Sequence, residues 1–216
     1  MSKEIQKHDS TARSVRSRIL RSKNRFWTAE DFDLQRSAVQ RELSRLADAG
    51  ELRHMRRGLY WRGVSTRLGM SMPTPFDTVT HVAGKYGVGP ASWSASLALG
   101  LSTQHPRAQH FAIPTRVPSS LGQNVVLHSR ASRRHRVDLK LNWREVALLE
   151  SLGEWKRVVE VPREEALDRI SEYERSGDIR LDKIERAIPQ EDALVRTNYR
   201  MLFHSHPTAD LHQVAA

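Results

Sequence analysis

Between Ser37 and Arg62 the spacing of apolar residues changes from a helical to a strand period across one glycine. Val39, Leu43, Leu46 and Ala47 recur at helical spacing until Asp48-Ala49-Gly50 supplies a glycine stop. Directly after it, Leu52-Arg53-His54-Met55 and Leu59-Tyr60-Trp61-Arg62 read as two short strands joined through Arg56-Arg57-Gly58, with the glycine available for a positive φ. Upstream, Thr28-Ala29-Glu30-Asp31 is a hydroxyl N-cap followed by acids matched to a helix dipole, which starts a short helix, and Ser37 is a second N-cap. Helix, helix and basic hairpin in that order predict a winged helix-turn-helix over residues 26–62. The second helix turns Gln40, Arg41, Ser44 and Arg45 away from its apolar face, with Arg36 just ahead of the Ser37 cap, so long donors cluster on the half that enters a major groove. Arg56 and Arg57 make the hairpin a basic wing. The reading points to double-stranded DNA, against the plainer one that basic helix pairs are common and this turn has no diagnostic residue.

The charge distribution points the same way. The formal net charge is +10, and through Arg67 there are 16 Lys/Arg against 8 Asp/Glu, whereas residues 69–216 hold 19 against 17. A field concentrated in the first third favours a polyanion, with binding that weakens steeply as salt rises. Arg far outnumbers Lys, and no basic amphipathic helix backs an apolar stripe, so an anionic membrane is the weaker partner. There is no cysteine, hence no disulfide framework or thiolate metal site. No run approaches the roughly 20 apolar residues of a membrane span, and residues 1–10 lack the apolar centre of a signal peptide, so a cytoplasmic location is expected.

We divide the chain into a DNA-binding domain over 1–68, a linker over 69–75, a second domain over 76–203 and a disordered tail over 204–216. Val15, Ile19 and Leu20 mark a helix packed under the reader helix, and Gly63–Pro75, with Gly69 and Pro73, suits a linker. Beyond it come a helix from Phe76 to Tyr86 and a second, capped by Ser92, running to Gly100. Short strands are expected at 109–113 and 124–128, and helices at 143–152, 163–176, 181–188 and 190–203. The fold class is α+β: a winged helix-turn-helix plus a mixed α/β, mainly helical second domain.

No constellation suggests catalysis or a cofactor. Gly84-Lys85-Tyr86-Gly87 matches the clamp of KH domains but reads better as a helix end. His204, His206 and His212 lie close in sequence without a carboxylate partner, so no metal site is expected. Arg130, Arg133, Arg134, Arg136, Lys140 and Arg144 form a second basic cluster opposed only by Asp138. Three readings stay open for it: an extended phosphate contact, a surface for an acidic partner, or a solvated strand or loop. Residues 145–192 hold 14 acids against 8 bases, suggesting a side that faces protein.

On these residues the chain resembles the AbiEi-type antitoxins of abortive-infection systems. The resemblance is carried by Ser37-Ala38-Val39-Gln40-Arg41-Glu42-Leu43-Ser44-Arg45-Leu46, by Gly58-Leu59-Tyr60, and by Ala98-Leu99-Gly100-Leu101-Ser102-Thr103-Gln104. It implies a bacterial antitoxin that represses its own promoter at inverted repeats and counters a nucleotidyltransferase-type toxin. Gln40, Arg41, Ser44, Arg45, Arg56 and Arg57 match the family's DNA-contacting region, and no catalytic residue carries over. The rival readings are a ligand-responsive regulator with a pocket in residues 76–203, and a DNA-processing enzyme, for which no clustered carboxylate or histidine site is found.

Overall fold

The computed structural model describes residues 12–118, 121 and 124–204, so the readings of residues 1–10 and 205–216, including His206 and His212, lie outside the described residues. The chain divides into two compact units, Met1–Thr78 and Val79–Ala216, and its fold is α+β.

In the first unit, helix α1 over 12–20 buries Val15 and Ile19. Strand β1 (Arg25–Trp27) follows, then a 3-10 turn (Ala29–Asp31), helix α2 (Arg36–Asp48) and strands β2 (Arg53–Arg56) and β3 (Leu59–Arg62). The sheet order is β1-β3-β2, antiparallel throughout, with Phe26 opposite Trp61 and His54 opposite Tyr60. Val39, Leu43 and Leu46 of α2 have no exposed surface and pack with Val15, Ile19, Trp27, Phe32 and Tyr60. Burying an aliphatic side chain of this size contributes about 1.5–3 kcal/mol, so one stripe of α2 holds the helix to the sheet and leaves the opposite face free.

Four expectations are corrected in this unit. The helix expected from Thr28 is a single 3-10 turn, because Asp31 Oδ2 folds back to accept from Thr28 N (2.7 Å) and Oγ1 (3.0 Å), and Phe32 then turns extended to stack on Trp27. Ser37 is not the cap of α2: Gln35 is, its carbonyl accepting from Ala38 and Val39 N–H, so Arg36 opens the helix and Ser37 lies inside its first turn. Strand β1 is an addition to the expected elements. Nor is the stretch around 69–75 a free connection, because β4 (Ser65–Thr66) and β5 (Gly69–Met70) form a small hairpin tied back to β3. Trp61 Nε1 donates to Ser71 O at 2.7 Å, and Val64 N donates to Ser71 Oγ at 2.8 Å. Gly63 permits the approach, since a Cβ there would collide with the Ser71 carbonyl oxygen.

Helix α3 (Pro75–Ala83) crosses the division between the units, and Gly84-Lys85-Tyr86-Gly87 ends it, Gly84 N bonding to Thr80 O. The second unit then runs β6 (Gly89–Pro90), α4 (Trp93–Ala98), β7 (Gln109–Ile113), β8 (Val125–Ser129), α5 (His135–Asp138), α6 (Trp143–Gly153), α7 (Trp155–Val158), α8 (Arg163–Arg175), α9 (Leu181–Ala187) and α10 (Ala193–Phe203). Its sheet order is β6-β7-β8, antiparallel between β6 and β7 and parallel between β7 and β8. Helix α6 is the axis: Val146 through Leu149 and Leu152 are fully buried and α4, β6 and α10 pack around them. A reciprocal cap starts it, Asn142 Oδ1 accepting from Arg144 and Glu145 N–H while Glu145 Oε2 accepts from Asn142 N. Ser92 is the N-cap of α4, as expected, but through its backbone: at φ 53° its carbonyl accepts from Ala95 N–H (3.0 Å), while its hydroxyl accepts from Arg157 Nη2 (2.9 Å) instead of from the helix.

A fragment ending at residue 68 lacks β5 and Ser71, and with them the bond from Trp61 and the two bonds with Val64 that anchor the hairpin. It is expected to unfold in urea with about 1–3 kcal/mol less stability than a fragment ending at 78. Equal midpoints would show that the hairpin adds nothing to the unit.

Candidate nucleic-acid interface

The apolar stripe of α2 determines which side chains face water. With Val39, Leu43 and Leu46 inward, the period places Ser37, Gln40, Arg41, Ser44 and Arg45 on the exposed face, and all five are exposed. Two hydroxyls, an amide and two guanidiniums there present donors on flexible stems, the chemistry that pairs with the major-groove edges of guanine and adenine. Among the described residues Arg41 is held only by Nε donating to its own helix at Ser37 O (3.4 Å). Arg45 lies 3.7 Å from Glu42, whose side chain is buried beside it. Arg36, at the start of the helix, pairs with Glu30 at 2.6 Å and is thereby directed toward the preceding turn.

The wing carries the other candidates. Gly58 takes φ 77°, a left-handed conformation that closes the turn between β2 and β3 and that side chains with a Cβ rarely adopt. Arg57 is exposed at this turn, whereas Arg56 is half-buried and its Nη1 has no hydrogen-bond partner among the described residues. The β2–β3 register shifts between His54 and Arg56. Arg53 and His54 are also exposed on β2, an edge strand, and sequence reasoning did not single them out. Other cations of the unit are committed to the fold: Arg62 bonds Glu51, Arg25 lies 4.2 Å from the Trp27 ring, and Arg18 donates to Asp31 O.

The second basic cluster does not form an open surface. Arg130, Arg133 and Arg136 turn inward onto acids of the following helices. Arg130 makes a two-pronged contact with Glu150 (Nε 2.9 Å, Nη2 2.7 Å). Arg136, with no exposed surface, grips Glu191 through Nε (2.6 Å) and Nη2 (2.9 Å) and reaches Glu150 through Nη1 (2.7 Å). Arg133 joins Glu150, Glu191 and Asp192, and His135 Nε2 lies 2.8 Å from Glu191. The contact-surface expectation for these three arginines is therefore corrected: a guanidinium removed from water needs paired carboxylates, and the acidic stretch supplies them. Arg144 likewise pairs with Asp178 and lies between the rings of Trp143 and Tyr173, while Arg134 and Lys140 are exposed.

Two further constellations lie in the second unit. His110 Nδ1 and His128 Nε2 meet at 2.9 Å across the parallel strands; burial and Arg157 lower the pKa of His110, and burial and Arg130 lower that of His128. The Ser102-Thr103-Gln104 segment wraps Glu160, whose carboxylate accepts from Thr103 N, Ser102 Oγ and Gln104 Nε2 at 2.8–2.9 Å and is thereby held below its ordinary pKa. This segment borders a cleft of about 490 Å³ also lined by Leu97, His105 and Arg169. Among the described residues no group of three or more His, Asp or Glu is placed to hold a metal, and no helix is long and apolar enough to cross a membrane.

No protein-family model and no curated protein matches the chain. Among solved structures, that of the RV2827C protein from Mycobacterium tuberculosis is similar over 88% of this chain and 74% of its own, with 16% identity and a TM-score of 0.47. A likeness at that level says nothing about function.

The inward arginines make the second unit sensitive to acid. Burial pushes the Glu150 carboxyl up, but the hydrogen bond from Arg130 and the charges of Arg136 and Arg130 outweigh it and hold the pKa at about 2; Glu191 is also lowered. Carboxyls depressed on folding contribute stability that is complete above their ordinary value of 4.5 and is lost as the pH falls from there toward about 2. Arg136→Ala is expected to cost about 3–5 kcal/mol at neutral pH, because it takes from two buried carboxylates the guanidinium they share. It should also flatten the acid limb of a urea-midpoint profile. A cost below about 1 kcal/mol would contradict the pairing scheme.

Proposed function

We propose that the chain is a sequence-specific DNA-binding protein that reads base edges through the exposed face of α2 and steadies the duplex with its wing. The observation that carries this reading is the division of α2: Val39, Leu43 and Leu46 are withdrawn into the core while Gln40, Arg41, Ser44 and Arg45 are presented together on the water side. The order α1, β1, 3-10 turn, α2, β2, β3 and the sheet order β1-β3-β2 support it: with the 3-10 turn in place of the first helix of the pair, they follow the order of a winged helix-turn-helix, whose second helix is the reader. The charge excess of residues 1–67 supplies the attraction to phosphate.

Within this reading the chain acts as an antitoxin and autorepressor, binding an inverted-repeat operator and countering a nucleotidyltransferase-type toxin encoded beside it. That role rests on the resemblance carried by residues 37–46, 58–60 and 98–104. Co-expression with the product of the adjacent reading frame tests it: growth restored by the full chain supports the role, and toxicity undiminished at equal expression removes it. A ligand-responsive regulator is the second reading, favoured by the cleft beside Glu160, and a small molecule that shifts operator affinity would select it.

Arg41→Ala and Arg45→Ala are each expected to weaken binding to a duplex selected from a randomised pool by about 1–3 kcal/mol, the worth of one bidentate pairing with a base, and to relax sequence preference. Arg57→Ala should instead weaken binding to all duplexes and reduce the slope of log K against log salt by about one unit. Gel-shift affinities unchanged in all three variants would remove the reading.

A further inference from the structure

The β4–β5 hairpin has a feature that neither the core nor the proposed reader helix uses. Leu68, at its turn, is 102% exposed, more than any other large apolar side chain among the described residues, and its neighbour Arg67 is exposed as well. Val64 and Met72, which flank the hairpin, are also exposed. A two-stranded hairpin this short is not stable alone, yet this one is pinned at several points. Thr66 Oγ1 donates to Gly69 O (2.6 Å) and accepts from Leu68 N (3.2 Å), closing the turn. At the base, Ser71 receives bonds from the buried Trp61 indole and from Val64 N, and Gly63 leaves no space for a side chain between them. The leucine is thus held out into water on an anchored turn, where it contributes nothing to the apolar core.

We propose that this turn is a second contact with duplex DNA, in which Arg67 and Leu68 enter the minor groove. The inference rests on the DNA-binding reading above and extends it to a site outside α2 and the first wing. Proteins that use the minor groove combine a cation, drawn by the groove's negative potential, with an apolar side chain set against sugars and base steps. Arg67-Leu68 supplies both on adjacent residues. The excess of 16 cations over 8 acids through Arg67 suits a polyanion. A second copy of this chain is the poorer occupant: one leucine, one methionine and one valine fall well short of the roughly 800 Å² per partner of a stable interface, and like-charged surfaces repel. The first wing turn and this hairpin leave opposite ends of β3, whose four residues span about 13 Å, so the two turns are separate contacts.

The test uses the full chain and a duplex that it selects from a randomised pool, with affinity, salt dependence and hydroxyl-radical footprints compared for wild type, Leu68→Ala and Arg67→Ala. Leu68 is fully exposed, so Leu68→Ala should keep the wild-type melting temperature while binding about three- to tenfold more weakly with an unchanged salt slope. Arg67→Ala should weaken binding and reduce the slope by about one unit. Both should lose minor-groove protection outside the bases protected by α2. If both variants bind and footprint as wild type while Arg41→Ala/Arg45→Ala loses binding, the second contact is overturned and the DNA-binding reading stands. If the wild-type chain enriches no duplex, that reading fails and this proposal with it. A change in oligomeric state by light scattering, with DNA affinity unaltered, would assign the turn to self-association and overturn the proposal.

Discussion

Arg136 has no exposed surface, and a guanidinium cannot shed its charge at any pH a protein survives. Several kcal/mol of desolvation must therefore be offset by close, correctly oriented carboxylates. Glu150 from α6 and Glu191 from the turn before α10 provide them, and once buried they require cations in turn, which Arg130 and Arg133 supply. The result ties the segment after β8 to two helices distant in sequence. It also removes three arginines from any role as an open phosphate surface, so the question of where the chain meets a polyanion turns back to the Met1–Thr78 unit.

In that unit the cations divide by the same logic of partnership. Arg18, Arg25, Arg36 and Arg62 have carboxylate, carbonyl or aromatic partners within the unit. The exposed face of α2 is different. Among the described residues Arg41 meets only a weak bond to its own helix, and Arg45 is 3.7 Å from Glu42, so little needs to be broken before either reaches for a base. A long side chain with a strong internal partner must give that partner up on binding; one without it pays only its rotamer entropy.

Much of this was legible in the sequence where one local rule acted alone. The apolar stripe of α2, the glycine-closed wing and the helices around 143–203 follow from periodicity and from glycine or capping signals, and the outward direction of Gln40, Arg41, Ser44 and Arg45 follows from the stripe. The misses share another cause. Thr28-Ala29-Glu30-Asp31 looks like a helix start, but the same Asp31 that favours one closes the turn onto Thr28 and ends it. Ser37 is a good cap by residue type, yet the chain entering from Gln35 provides the carbonyl ahead of it. Strand β1 has three residues, too few for an alternating pattern, and exists because β3 lies beside it. The hairpin at 65–70 depends on a bond between Trp61 and Ser71, and the fate of Arg136 on acids 14 and 55 residues away. No local pattern encodes such pairings.

The most direct measurement is a titration of the isotope-labelled full chain with a selected duplex, followed by backbone amide and arginine Nε–Hε resonances. Shifts concentrated in residues 37–45, 56–58 and 67–68, with the Nε–Hε signals of Arg130 and Arg136 unmoved, are the predicted result. Shifts at Arg130, Arg133 and Arg136 with α2 silent would contradict the account, because they would require an ion-paired core to open toward DNA while the exposed helix face stayed idle.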